Sequence, residues 1–134
     1  MKRLLATAAL FGALLSAPGV HAQPALCADA PNQAAGTECA ANLFKKADKE
    51  LNATYSALLG ALPDKGKDYA RAAQRAWVDF RDKECVSQTG GGPNQGGTIW
   101  PMIYMECQTA LTRQRVEQLK AQVKCPGGDL SCSP

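Results

Sequence analysis

The sequence predicts a small all-α domain: a three-helix bundle, or a long helical hairpin with a third helix across it, stapled by disulfides. Three observations carry this. Apolar residues recur at spacings of three and four in three long segments, which places them on one face of an α-helix. No stretch of convincing length alternates apolar and polar residues as a half-buried strand does. Six cysteines are spread along only 134 residues, and a chain of that length makes a single domain.

The first 22 residues are expected to stand outside that domain. Lys2 and Arg3 precede an apolar run of 12 residues, 4–15, and Val20 and Ala22 complete a small-x-small ending. This is the pattern of a cleaved secretory leader, and the run is too short to span a bilayer. Cys27 lies beyond the expected cut and is preceded by Pro24-Ala25-Leu26, so it is not in a lipoprotein setting. The expected division is a signal peptide at 1–22, a helical domain at 23–125 and a C-terminal tail at 126–134. The exported chain is expected in the periplasm or outside the cell, with no membrane insertion after cleavage.

The first helix is expected over 32–62. Leu43, Ala47, Leu51, Tyr55, Leu58 and Leu62 form its apolar face. Asn32 or Thr37 is the N-cap, and Gly36 moves the firm start toward Thr37. Pro63-Asp64-Lys65-Gly66 is expected as a turn. A second helix follows over 67–85, with Ala70, Ala73, Trp77, Phe80 and Glu84 at helical spacing. Trp77 and Phe80 are expected to supply most of its buried area. Residues 87–97 hold five glycines and a proline and form the longest loop. The third helix starts near Thr98 as N-cap, with Pro101 tolerated in its first turn. It runs to Lys124 along Ile103, Cys107, Leu111, Thr112, Val116, Leu119 and Val123.

Loss of the leader removes Lys2, Arg3 and His21, leaving 13 basic and 12 acidic residues. The formal charge of +3 is too small to argue for nucleic acid or an anionic membrane as partner, and an exported charge near +1 gives little steering toward a strongly basic one. The exported chain has no histidine, which excludes histidine triads, Cys-His dyads and histidine-ligated metals; no cofactor is expected. All six cysteines survive, as disulfides do in small exported domains. Chain order favours Cys27–Cys39, Cys85–Cys107 and Cys125–Cys132, although six cysteines allow 15 pairings.

Three blocks carry a resemblance. Residues 47–55 read A-D-x-x-L-N-x-x-Y, residues 73–85 read A-Q-R-x-W-x-x-[FY]-R-D-x-x-C, and Cys107 is followed by Leu111-Thr112, Arg115 and Leu119. Together, and in this order from about Cys27 to Leu119, they resemble the lysozyme inhibitor LprI-like family of exported helical domains. The resemblance implies a protein partner, lysozyme, bound and inhibited without catalysis. The alternative is an envelope structural or stress protein with no inhibitory role. Cys125 and Cys132 stand outside the family pattern as an extra C-terminal pair.

Two groups of residues are candidates for a role. Asp48, Asn52, Gln74, Arg81, Thr112 and Arg115 are polar residues beside apolar stripes. They form either a ligand-binding row or a buried network that fixes helix register, and the network is favoured because buried polar groups are usually satisfied internally. Within it, Asp48 is expected to pair with Arg81 or Arg115, and Asn52 with Gln74, under Trp77. The glycine loop lacks the strand before it and the Lys-Ser/Thr ending of a phosphate cradle. It serves either as a connector with Trp100 in the core or as a recognition loop. In the second case Asn94, Gln95, Thr98, Trp100 and the nearby Lys83 face a partner, with amides or a cation offered to the paired carboxylates of a lysozyme cleft. Glu84 and Glu106 each precede a bridging cysteine, but two acids without a cleft do not make a glycosidase.

Overall fold

The computed structural model describes residues 25–92, 94, 95 and 97–125. They form three helices: α1 (Gln33–Ala61), α2 (Asp64–Thr89) and α3 (Trp100–Lys124). Among the described residues there is no strand. The signal-peptide reading and the tail at 126–134, with Cys132, lie outside the described residues.

Asn32 caps α1, accepting the Ala35 N–H at 2.9 Å. The helix is therefore firm four residues before Thr37, whose hydroxyl instead donates back to the Gln33 carbonyl. Gly36 does not weaken this start. A Cβ there would fall 2.7 Å from the Met102 sulfur, so the glycine lets α3 approach α1. The expected four-residue turn after α1 is shorter. Pro63, with φ of −66°, is the N-cap of α2, and Asp64 already belongs to the helix. The Lys67 N–H reaches the Pro63 carbonyl at 2.9 Å, and Lys67 pairs with Asp64 across the first turn. A proline with this φ leads into a helix, and an acid in the first turn suits the positive end of its dipole. At the other end α2 runs past Cys85 to Thr89 and stops at Gly90, whose φ of 73° is left-handed. The Thr98 cap is also corrected: Ile99 is the N-cap of α3, without a side-chain bond, and Pro101 sits in the first turn.

α1 and α3 lie parallel and form the closest pair. Gln33 meets Met102, and seventeen residues further on Glu50 meets Lys120 at 2.9 Å. α2 runs antiparallel to both, with Gln74 beside Arg115 and Asp82 beside Gln108. The apolar core occupies the half of the bundle nearest the α1–α2 turn. Leu51, Leu58, Val116 and Leu119 are buried there, packed by Tyr55, Leu62, Ala70, Trp77 and Val123. Each buried aliphatic side chain contributes about 1.5–3 kcal/mol.

The inward face of α2 is not the one its apolar spacing suggests. Phe80 is 53% exposed and Ala73 is exposed, whereas Gln74, Arg81 and Cys85 are buried. The series 73, 77, 80, 84 and the series 74, 77, 81, 85 differ by one step and share Trp77. The Cys85–Cys107 bond and the buried Arg81 turn the helix to the second.

Two disulfides, Cys27–Cys39 and Cys85–Cys107, close the opposite half of the bundle.

Candidate functional site

Two arrangements bring the candidate residues together, one inside the bundle and one at its disulfide end. Inside, Arg81 is 6% exposed. Its Nε donates to Asp82 Oδ1 at 2.8 Å, and one terminal nitrogen lies 3.9 Å from Asp48 Oδ1. Its guanidinium sits 5.2 Å from the Phe44 ring centre and 5.5 Å from that of Trp77. Both contacts lie within cation–π range. Asp82 Oδ1 also accepts from Gln108 Nε2 at 2.8 Å. Burial, followed by the nearby Asp82 charge, raises the Tyr104 phenol above its ordinary value.

Arg115 lies over Trp77 as well, 5.7 Å from the ring. It donates to Gln74 Oε1 at 3.1 Å and to Gln118 Oε1 at 3.2 Å. Burial lowers its guanidinium pKa, but a group that starts so high stays charged. Asp48 therefore pairs with Arg81, and Gln74 is taken by Arg115. The expected Asn52–Gln74 bond is not formed: Asn52 is exposed and donates to Asp48 Oδ2 at 3.0 Å. Thr112 is fully buried, and its hydroxyl has no hydrogen-bond partner among the described residues.

The second arrangement is the connection between α2 and α3. The Cys85–Cys107 bond ties its two flanking helices together. Trp100 is partly buried and packs back on its own loop. A Cβ on Gly97 would meet the indole at 3.3 Å, and one on Gly90 would meet it at 4.0 Å. Gly97 adopts φ of 127°, which a residue with a side chain rarely holds. Trp100 thus pins the loop, while Asn94, Gln95 and Thr98 are exposed. Lys83 lies on α2 two residues before Cys85, exposed and paired with Asp79 at 2.8 Å.

Sequence reading missed three exposed apolar side chains at the disulfide end of the bundle. Leu26 is 42%, Val86 42% and Ile99 47% exposed. Each adjoins a residue already singled out (Cys27, Cys85 and Trp100), and that adjacency was the available signal. Glu84 and Glu106 flank the same disulfide and take different hydrogen-bond partners. Glu84 accepts from Gln88 at 2.7 Å, and Glu106 accepts the Cys27 N–H at 2.9 Å. Among the described residues no group of three His, Cys, Asp or Glu side chains is placed to hold a metal.

The family model described as lysozyme inhibitor LprI matches residues 27–119. The chain belongs to the LprI lysozyme-inhibitor family. The LprI match runs from Cys27 to Leu119, so it takes in both described disulfides, the loop and the Arg81–Trp77–Arg115 cluster, and it stops short of Cys125. The chain is also similar to an uncharacterized protein of Rhizobium meliloti (strain 1021), with 35% identity over 107 residues, 70% of this chain and 76% of that protein. No solved structure matches.

Proposed function

We propose that this chain is an exported LprI-family module that inhibits lysozyme by non-covalent contact through its disulfide end. Membership of the family supports the activity, and one observation supports this site for it: the described loop residues 90–92, 94, 95 and 97–99 lie between helices joined by a disulfide, with Trp100 packed against Gly90 and Gly97. A recognition loop fixed before contact loses less entropy on binding than a free one. Asn94, Gln95 and Thr98 then offer amide and hydroxyl groups to a partner. Lys83 belongs to the same reading as a cation beside the loop, once released from Asp79. The disulfides fit an oxidising compartment outside the cytosol. No described helix is long and apolar enough to cross a membrane.

The test is the clearing of a cell-wall suspension by lysozyme, with and without the exported chain. Clearing is expected to slow in proportion to added protein. The doubly substituted Asn94→Ala, Gln95→Ala chain is expected to protect several-fold less, as when exposed contacts near an anchor are removed. No protection at molar excess overturns the reading in favour of an envelope protein without inhibitory action.

A further inference from the structure

We infer that the disulfide end is an acidic, apolar-centred docking face for a basic protein surface; this rests on the lysozyme reading and names the feature of lysozyme that the face recognises. The fold itself builds the face. Because α1 and α3 are parallel and α2 is antiparallel, the start of α1, the end of α2 and the start of α3 meet at one end. Asp29, Glu38, Glu84 and Glu106 all lie there, each within two residues of a bridging cysteine. Among the described residues none of the four pairs with a cation, and Glu106 ties the two disulfide regions together through the Cys27 N–H.

The described residues 25–40, 81–92 and 97–110 of that end hold two cations, Arg81 and Lys83. Arg81 is buried against Asp82, and Lys83 is paired with Asp79. The rest of the bundle holds eleven Lys and Arg against six Asp and Glu. The formal whole-chain charge of +3 therefore conceals a polarity among the described residues, acidic at the loop end and basic over the remainder. Leu26, Val86 and Ile99, three large apolar side chains more than two-fifths exposed, sit in the acidic end. Val86 borders the loop at Gly92, at the distance where a Cβ there would touch it. Apolar contacts surrounded by charge of one sign make a surface that docks through the apolar residues and selects the opposite charge at the rim. Rim charges act mainly on the rate of encounter, the central apolar groups on the rate of release.

The experiment measures binding kinetics of the full exported chain with a basic lysozyme, and with the same lysozyme after acetylation of its lysines. The Asp29→Asn, Glu38→Gln, Glu84→Gln chain is expected to associate about tenfold more slowly at low salt, with the difference closing as salt screens the charges. The matched Asp64→Asn, Asp68→Asn, Glu117→Gln chain, altered at exposed carboxylates of the basic half, is expected to associate no more slowly than the unsubstituted chain. Ile99→Ser, at an exposed position, is expected to speed release about tenfold. Acetylated lysozyme is expected to bind more weakly. Binding indifferent to the first three substitutions and to acetylation overturns this face while leaving the inhibitor reading standing. Absence of binding by the unsubstituted chain overturns both.

Discussion

At the scale of single residues, Arg81 connects more of the molecule than any other side chain in the polar interior. Its guanidinium lies within reach of both the Phe44 and Trp77 rings, and its charge meets Asp82 and Asp48. Both acids keep over two-fifths of their side chains exposed, so losing the cation does not strand a buried charge. Arg81→Ala is therefore expected to cost about 2–3 kcal/mol, below the range for a fully buried pair, mostly through lost stem packing. Arg81→Met, which keeps the stem, is expected to cost about half of that. Urea unfolding checks this as a lowered midpoint at unchanged slope. Lysozyme binding is expected to persist in both variants under native conditions. Lost binding with an unchanged midpoint would instead place Arg81 in the interface. The residue types of this cluster were legible in the sequence because polar groups beside apolar stripes need partners. Which partner each takes was not, since Asp48, Gln74 and both arginines are chemically able to combine in several ways and only the helix rotation chooses.

At the scale of elements, helical period located all three helices, while their ends followed local chemistry that period does not register. Pro63 and Asp64 resemble a turn in sequence, yet φ of −66° followed by an acid is also a helix start. Gly36 weakens a helix in isolation, but here it is the point where Met102 crosses. The rotation of α2 was hidden because two adjacent face series share Trp77, and the buried one carries Gln74 and Arg81 where apolar residues were sought. The Cys85–Cys107 bond closes a span of 22 residues that contains the loop. Replacing both cysteines by serine is expected to lower stability by about 3 kcal/mol through the unfolded chain's regained freedom. Inhibition is expected to fall further than the folded fraction does, because Trp100 alone then holds the loop. Thermal melting and the lysis assay on the same sample check this. Inhibition that tracks the folded fraction alone would show that the disulfide serves stability only.

At the scale of the whole molecule, the bundle separates its tasks along its length. The half near the α1–α2 turn is filled with aliphatic side chains, and the other is held by a polar cluster and two disulfides, with the exposed loop beside them. A small domain has only a limited core to spend on stability, and covalent closure lets the loop end carry glycines and exposed apolar groups. The fold class and the two described disulfide pairings were legible from spacing and chain order. The charge polarity was not. It needs Asp29 and Glu38 at the same end as Glu84 and Glu106, which depends on α1 and α3 running parallel, and no linear reading of a chain with net charge +3 displays that.

Amide hydrogen exchange on the chain with and without lysozyme tests the central claim most directly. Protection is predicted at residues 25–29, 84–92 and 97–104, with the outer face of α2 around Tyr69 and Phe80 unchanged. Protection confined to that outer face, or no change anywhere at saturating lysozyme, would contradict the account.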